Sequence, residues 1–395
     1  SDWSSDVCSS DLNYANRALW PVFHTRVDLA RFDDGAFDAY EAVNRRFGRQ
    51  LFQLLRRRDN VWVHDYHFLL LGRELRDNGW HGPCGFFLHI PFPPPEIFAA
   101  LPQHARLARG LAAFDVIGFQ TTRDMDNFRR YLVEQHGAEV DDTGEHLRVF
   151  DRRLRIGAFP IGIDPLEFAS LTNSEQAQEA AGRMGRIIEN RALVIGVDRM
   201  DYSKGLPQRL RAFGRMLDET AELRGAVSLL QIAPPSRAEV DAYRELRAEL
   251  DGLAGRINGD YSDLDWTPIR YLARSYGRDV LAGLYRLARV GLVTPLRDGM
   301  NLVAKEFVAA QDGEDPGVLV LSEFAGAAER MDAALIVNPH DQGTTADAIR
   351  RALQMSLEER RERWQALWAE IATADVASWR RRFLAALEAT GEAAA

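Results

Sequence analysis

The sequence predicts an α/β protein built from two doubly wound domains that face each other. Short apolar runs alternate with amphipathic helical patterns from about residue 60 to residue 355, as in parallel sheets that are covered by helices. Most of these runs are continuously apolar, which is typical of strands buried on both faces. The number of predicted strands is too large for one sheet. The segment FPIGIDP (159–165) is interpreted as the crossing from the first half of the chain to the second.

Nine apolar runs are predicted as strands. In chain order they cover residues 61–64, 84–90, 114–120, 154–163, 192–197, 226–234, 290–295, 318–322 and 334–339. Between them, Thr121 and Thr122 are good N-caps for a helix over DMDNFRRYLVEQHG. The pattern over 356–390 predicts one or two long amphipathic helices.

These elements divide the chain into four segments. We expect a non-native tail over 1–12, which reads SDWSSDVCSSDL and repeats SSD. An N-terminal doubly wound domain is expected over 13–162, and a C-terminal one over 163–357. The helices over 358–390 are expected to pack back on the N-terminal domain.

Composition excludes several functional classes. The 395 residues carry 49 basic and 58 acidic side chains, a net charge of −9, which disfavours general nucleic-acid binding. No apolar run approaches the ~18 residues of a membrane span. With only two cysteines, Cys8 and Cys84, a disulfide framework is not expected, and we predict a cytoplasmic protein.

Lysine is nearly absent from the chain. Only Lys204 and Lys305 occur, and the other 47 basic residues are arginine. A lysine retained in such a sequence is a candidate for a role that needs a compact ammonium group.

The loop RMDYSKG follows the predicted strand 192–197 and precedes a helix. Ligands of open α/β sheets bind beyond the carboxyl ends of strands. Arg199 and Lys204 are therefore placed to bind a diphosphate, which requires several converging donors. The alternative is an ordinary turn with solvated charges.

The segment TPLRDGMNLVAKEF (294–307) is a second strand–loop–helix junction. Gly299 lets the backbone approach a ligand, and the N–H groups near 301–303 would point at an anion. Asp298 and Glu306 could bind sugar hydroxyls. From the spacing alone, a capping aspartate and an ordinary helix glutamate explain them equally well.

Three further positions lie at strand ends. In HDYH (64–67) a metal site is disfavoured because no third ligand lies at a suitable spacing, and Asp65 is better explained as a hydroxyl acceptor or base. His89 and Arg237 each follow a predicted strand and are weak candidates alone. The sequence contains no GxxxxGK[ST], GxGxxG or GxSxG motif. These absences disfavour a kinase, a dinucleotide-dependent dehydrogenase and a hydrolase.

Taken together, the motifs resemble the trehalose-6-phosphate synthase family over about residues 13–385. The resemblance rests on ALWPVFH, VWVHDYHFLLL, GFFLHIPFPPPEIF, IGFQT, FPIGIDP, RMDYSKGLPQRL, QIAPPSR, AGRINGDY, WTPIRYL, GLVTPLRDGMNLVAKEFVAAQ and LSEFAGAAE. It implies a GT-B fold of two Rossmann-like domains with an active site in the cleft between them. The domain over 13–162 would be the acceptor side, and the domain over 163–357 would bind the nucleotide sugar. It also implies glucose transfer from UDP-glucose to C1 of glucose 6-phosphate with retention, releasing UDP, in trehalose biosynthesis.

The same resemblance implies roles for individual residues. Catalytic roles fall to Arg199, Lys204, Asp298 and His89. Donor contacts fall to Arg199, Lys204, Tyr276, Asp298, Gly299, Met300, Asn301, Leu302, Val303, Ala304, Lys305 and Glu306. Asp65 and Arg237 would bind the acceptor, while Trp20 and His89 would select the α-linked product. No metal or other cofactor is expected, and the partners are small-molecule substrates within a homo-oligomer.

The resemblance fails at the N-terminus. Family members begin with a strand bearing an Asn-Arg pair and a Gly-Gly-Leu loop, then carry a tyrosine where this chain has Asp11. We therefore expect this chain to bind UDP or UDP-glucose but to use glucose 6-phosphate poorly until a native start is restored. Two alternatives remain: a non-catalytic sugar-nucleotide-binding relative, and a GT-B enzyme with another donor such as GDP-glucose.

Overall fold

The structure, a computed structural model, describes residues 13–189, 191–236 and 241–392. The expected tail over 1–12 lies outside the described residues. Within the described residues the chain forms two compact units, one of residues 13–160 with 379–392 and one of residues between 161 and 378. Each unit contains one six-stranded sheet.

The described strands follow the predicted apolar runs, with three additions. They are β1 Val61–His64, β2 Cys84–Phe87, β3 Val116–Phe119, β4 Glu139–Val140, β5 His146–Val149, β6 Arg152–Ala158, β7 Ala192–Val197, β8 Val227–Ile232, β9 Ile269–Leu272, β10 Val290–Val293, β11 Val318–Ser322 and β12 Leu335–Val337.

The α-helices cover the sheets and the C-terminal segment. They are α1 Trp20–Phe23, α2 Asp34–Leu54, α3 Leu71–Asp77, α4 Pro95–Phe98, α5 His104–Leu111, α6 Thr122–His136, α7 Pro165–Leu171, α8 Glu175–Ile188, α9 Leu206–Glu219, α10 Asp241–Tyr261, α11 Arg278–Leu287, α12 Leu302–Ala310, α13 Gln342–Gln354, α14 Leu357–Thr373 and α15 Val376–Glu392. None of the described helices is long and apolar enough to cross a membrane.

The sheet of the first unit has the order β1-β2-β3-β6-β5-β4. Its first four strands are parallel, whereas β4, β5 and β6 pair antiparallel. The antiparallel strands β4 and β5 are not among the predicted runs, and a two-residue turn joins β5 to β6. Phe150 and Asp151 both have positive φ, the backbone that tight hairpins require. Charged side chains interrupt the apolar pattern of both strands, so the hairpin has no continuous apolar run.

The sheet of the second unit is entirely parallel, with the order β12-β11-β10-β7-β8-β9. The chain starts at β7 in the middle, runs outward to β9, and then returns to β10 on the other side of β7. The strand order thus reverses between β7 and β10. In open α/β sheets this reversal opens a crevice at the carboxyl ends of the two strands, where ligands bind.

The two C-terminal helices belong to different units. In α14 the Trp364 Nε1–H donates to the carbonyl of Val308 at 3.1 Å, within the second unit. In α15 the ring of Phe383 stacks on Trp62 of β1 with centroids 4.5 Å apart, within the first unit. Glycine at 85 makes room for that ring, since a Cβ there would lie 2.9 Å from Phe383. The segment expected to pack on the N-terminal domain is thus divided between the two units.

Candidate active site

The loops after β7 and β10 meet at the reversal of strand order. The backbone N–H of Leu296 donates to the carbonyl of Ser203 at 2.7 Å. Gly205 has φ +65°, and a Cβ there would lie 2.4 Å from the carbonyl oxygen of Thr294. Both the left-handed backbone and the close approach require glycine. The two loops are therefore tightly interlocked.

This contact brings together two predicted site residues that are 94 positions apart. The Lys204 ammonium lies 2.5 Å from Asp298 Oδ2, and the two side chains are only 11% and 14% exposed. Burial alone would lower the pKa of Lys204, but Asp298 and the nearby Asp198 raise it above its ordinary value. The lysine is thus held as a cation beside a carboxylate.

The position of Lys204 is fixed by its own loop. The Asp201 side chain accepts the backbone N–H of Ser203 at 2.9 Å and caps the short 3₁₀ turn Tyr202–Lys204. The Tyr243 hydroxyl donates to the other oxygen of Asp201 at 2.8 Å. Arg199 lies two residues beyond the end of β7 and is exposed, so the loop carries both cations predicted to bind a diphosphate.

Sequence reasoning missed Arg209, which lies beneath this loop. Its side chain is fully buried, and one guanidinium nitrogen lies 2.8 Å from Asp198 Oδ2. Its other bonds run to Thr294 at 3.0 Å and to Gln231 at 3.1 Å. Arg209 therefore connects the residues at the ends of β7, β8 and β10. The available signal was an arginine on the apolar face of α9, between Leu206 and Leu210.

Asp298 is held on both sides. Its backbone N–H donates to the carbonyl of Phe324 at 3.1 Å, and the Asn301 amide donates to its Oδ2 at 3.0 Å. Asn301 itself has φ +68°, rare for a residue other than glycine, and immediately precedes α12. The predicted donor residues from Gly299 to Ala304 thus form a tight turn into a helix N-terminus, where backbone N–H groups favour an anion.

The two remaining donor candidates of α12 have different surroundings. Lys305 is 5% exposed, and its ammonium donates to the carbonyl of Ile161 at 2.6 Å. Burial lowers its pKa to about 8. Its side chain therefore anchors α12 to the crossing segment, which leaves only its backbone for a donor contact.

Glu306 is half-buried, and burial raises the pKa of its carboxyl to about 7. Arg278 opposes that rise and Glu167 reinforces it. A carboxyl whose pKa lies this near neutrality is a candidate for ligand binding.

Tyr276 lies in the same unit, in the loop after β9. The guanidinium of Arg274 stands 4.7 Å above its ring. Both line a surface cavity of about 330 Å³, together with Leu230, Leu272 and residues of α8 and α11. The predicted donor contact Tyr276 is therefore an aromatic ring that lines a cavity of mixed apolar and charged side chains.

A second group of predicted residues forms in the first unit, at the carboxyl ends of β1 and β2. The backbone N–H of His89 donates to Asp65 Oδ1 at 3.3 Å, and the Asp65 N–H donates to the carbonyl of Phe87 at 2.8 Å. Trp20 is almost fully buried and packs on Tyr66 with centroids 5.6 Å apart. Asp65, His89 and Trp20 therefore lie in one neighbourhood.

Asp65 has an unusual backbone, with φ +72° and ψ +168°. This region is adopted almost only by glycine, and another residue pays about 1–3 kcal/mol to occupy it. Such strain persists where the surrounding structure holds a residue for its side chain. The backbone thus gives an independent reason to place Asp65 in a functional site.

Arg237, the other predicted acceptor residue, lies outside the described residues. Among those that the structure does describe, no group of three His, Cys, Asp or Glu side chains is arranged to hold a metal ion. The predicted residues therefore form two groups, one at the β7–β10 reversal and one at the ends of β1 and β2.

Comparison with known proteins identifies the class to which this fold and these groups belong. The model of glycosyltransferase family 20 matches residues 4–389, so the chain belongs to this family and is a glycosyltransferase with the GT-B fold. The predicted fold class and family are confirmed.

The individual relatives are more specific. A trehalose-6-phosphate synthase of Sinorhizobium fredii is 47% identical over 379 residues, 96% of this chain and 82% of the relative. A UDP-forming α,α-trehalose-phosphate synthase of Burkholderia xenovorans, solved in complex with glucose-6-phosphate, matches with TM-score 0.95 and 46% identity over 97% of this chain and 85% of that one. An E. coli structure bound with UDP-2-fluoro glucose matches with TM-score 0.94 and 42% identity, covering 96% and 85%.

Proposed function

We propose that this enzyme transfers glucose from UDP-glucose to C1 of glucose 6-phosphate, with retention, and releases UDP and α,α-trehalose 6-phosphate. The observation that carries the proposal is the buried Lys204–Asp298 pair at the reversal of strand order. It combines a cation suited to a phosphate with a carboxylate suited to a sugar, at the place where α/β sheets bind nucleotides. The S. fredii and B. xenovorans relatives are named as trehalose-phosphate synthases, which is support for this activity.

On the donor side, the leaving diphosphate gains negative charge as the glycosidic bond breaks. Arg199 and Lys204 supply positive charge at that point, and the N–H groups at the start of α12 add partial positive charge. With these cations in place, the transfer requires no metal ion. Glu306 accepts hydrogen bonds from the ribose hydroxyls, and the ring of Tyr276 contacts the uridine.

The transferred sugar lies against the turn from Asp298 to Asn301. Asp298 accepts from its hydroxyl groups while positive charge develops at C1. The group offers no evident protein nucleophile for C1, so the acceptor hydroxyl attacks from the face that the diphosphate leaves. Attack from that face preserves the α configuration, and the leaving phosphate oxygen takes the proton of the attacking hydroxyl.

On the acceptor side, Asp65 accepts from the hydroxyls of glucose 6-phosphate, and Arg237 binds its phosphate. His89 and Trp20 shape the site so that the α-linked product forms. Burial, reinforced by the neighbouring His64, lowers the pKa of His89 to about 4. The ring is therefore neutral at physiological pH and acts through hydrogen bonding.

Incubation of the protein with UDP-glucose and glucose 6-phosphate, followed by mass detection of trehalose 6-phosphate, tests the proposal. We expect slow product formation with this pair, and still less product with GDP-glucose or ADP-glucose as donor or with unphosphorylated glucose as acceptor. UDP-glucose binding without product from any pair would identify a non-catalytic relative. A preference for GDP-glucose would identify a different donor specificity.

Two further expectations accompany this function. The prediction of a homo-oligomer is checked by sedimentation at several protein concentrations. The prediction of a cytoplasmic protein is checked by fractionating cells that produce it.

A further inference from the structure

A pair of histidines lies at the ends of β1 and β2. His64 Nδ1 is 3.0 Å from His89 Nε2, and the two rings are nearly parallel, with an interplanar angle of 24° and centroids 5.3 Å apart. The register of the two parallel strands explains this contact. His64 lies opposite Phe87, which is two residues before His89. His64 has no role in the function proposed above.

Aromatic side chains flank the pair, of which His64 is exposed. The Trp62 ring lies 4.6 Å from His64, and the Phe87 ring lies 4.7 Å from His89. Trp379 of α15 lies 6.2 Å from one histidine and 6.0 Å from the other. A nearby carboxylate, that of Asp65, accepts from the backbone N–H of His89 at 3.3 Å, and burial lowers the pKa of both histidines. Both rings are therefore neutral at physiological pH.

Two neutral imidazoles at this distance share one proton between the facing nitrogens. One nitrogen donates and the other accepts, so the tautomers of the two rings are linked. If His89 Nε2 carries the proton, His89 Nδ1 presents a lone pair. If His64 Nδ1 carries it, His89 Nδ1 carries a proton instead. His89 Nδ1 is the only nitrogen of that ring left for a ligand.

We propose that His64 is a positioning residue that holds His89 as the Nε2–H tautomer, leaving Nδ1 to accept a hydrogen bond from a sugar hydroxyl. In this arrangement His64 accepts at Nδ1 and carries its own proton on Nε2. Both rings then adopt the tautomer that neutral imidazole side chains prefer in water. The inference deepens the role proposed for His89 and rests on the proposed function.

Ring contacts limit the motion of the pair. Trp62 and Trp379 restrict rotation of the His64 ring, which favours its hydrogen bond with His89 before a ligand binds. The acceptor nitrogen of His89 is then oriented before the sugar binds, which reduces the ordering cost of binding.

The tautomers are measured directly by ¹⁵N NMR of the histidine ring nitrogens, with His64→Phe and His89→Phe variants for assignment. We expect a protonated Nε2 and an unprotonated Nδ1 for His89 in the unmodified protein. In His64→Phe, which keeps a ring between the tryptophans, we expect the His89 signals to move to those of a tautomer mixture. A His89 that carries its proton on Nδ1, or whose signals are unchanged in His64→Phe, would overturn the proposal.

Kinetics provide the second readout. Mutation of the hydrogen-bond partner of a metal-bound histidine commonly lowers activity about 10- to 100-fold. By analogy, we expect kcat of His64→Phe to fall at least tenfold, with KM for the donor nearly unchanged. His64→Asn, whose amide oxygen can accept from His89 Nε2, should recover part of the rate and keep the His89 tautomer. The exposed His81 provides the control, and His81→Phe should change neither readout.

The NMR result does not depend on activity, so it separates this proposal from the proposed function. Absence of trehalose 6-phosphate with the expected tautomers in place counts against the function alone. If His64→Phe fails to fold, His64→Asn and His64→Leu provide the same comparison. Equal kcat and equal His89 signals in those two variants would contradict a positioning role.

Discussion

The ammonium of Lys204 lies 2.5 Å from Asp298 Oδ2, joining the loops at the two central strands of the second unit. The pair is nearly enclosed. Breaking the ion pair would therefore leave two charges with little access to water, which costs free energy. A bound diphosphate would offer the ammonium a second anionic partner. We expect removal of either member to affect the reaction strongly, and the accompanying loss of stability is measured alongside it.

We predict that Lys204→Ala lowers kcat by about 10²–10³-fold, the usual effect of removing one donor that stabilises developing charge. Arg199→Ala should act in the same direction. Lys204→Arg should also impair turnover, because a planar guanidinium does not replace a compact ammonium. Steady-state kinetics and thermal unfolding together check this, and near-normal turnover in either alanine variant would refute the diphosphate assignment.

Asp298→Asn should abolish glucosyl transfer while leaving UDP affinity within about threefold, since Tyr276, the proposed uridine contact, lies elsewhere in the unit. The asparagine keeps an oxygen that can accept from Lys204 and Asn301, so the loop should stay in place. Calorimetric titration with UDP measures this. A collapse of UDP affinity would instead assign Asp298 to the architecture of the loop.

Glu306 should make donor binding depend on pH. Burial raises the pKa of its carboxyl to about 7, and only the ionised form accepts two ribose hydroxyl bonds. UDP-glucose should therefore bind up to about tenfold more tightly at pH 8 than at pH 6, as the competent fraction rises. UDP-glucose is the ligand of choice because its diphosphate does not titrate in this range.

The matched control is Glu306→Gln, which should bind more weakly and show a flat profile from pH 6 to pH 8. The raised pKa of Glu306 also makes the stability of the fold depend on pH. A carboxyl whose folded pKa is raised favours folding at low pH and opposes it as pH rises from its ordinary value through about 7. Glu306→Gln should thus gain more thermal stability at pH 8 than at pH 5. A Glu306→Gln profile identical to that of the unmodified protein would contradict the assignment.

Asp65→Gly and Asp65→Ala should both lose activity, because neither has a carboxylate. They should differ in stability, since glycine adopts φ +72°, ψ +168° freely and alanine does not. We expect Asp65→Gly to be more stable than Asp65→Ala by about 1–2 kcal/mol. Denaturant unfolding measures the difference, and equal stabilities would show that the backbone at this position is not strained.

Arg209→Met should destabilise the second unit by about 3–5 kcal/mol, because Asp198 would remain buried without its cation. Arg211 provides a control on the same helix. It pairs with Glu249 at the surface, and its side chain is 35% exposed, so Arg211→Met should cost at most about 1 kcal/mol. Comparable losses in the two variants would show that the buried pair contributes nothing beyond an ordinary surface pair.

Much of this architecture was predictable because parallel strands buried on both faces are continuous apolar runs. The runs at 61–64, 192–197 and 318–322 became strands with those bounds. The β5–β6 hairpin was not predictable in this way, because one face of each strand carries charged residues. The strand-end rule selected Asp65, Lys204 and Asp298 without any coordinates.

Other features depend on contacts between distant positions. The Lys204–Asp298 pair, the Arg209 network and the anchoring of Lys305 on Ile161 all require the order of strands, which no local pattern encodes. The His64–His89 pair depends on the register of β1 against β2. The strain at Asp65 has no sequence signal, because aspartate is common in turns with ordinary dihedrals.

Phe383 and Trp379 cover the sheet of the first unit from a helix near the end of the chain. During synthesis the ribosome must therefore complete the whole second unit before the first can bury Trp62 and Phe87. Until then, the aromatic face of β1 and β2 is exposed on a partly folded nascent chain and is open to chaperones or to aggregation. The N-terminal unit, although translated first, is the last to be completed.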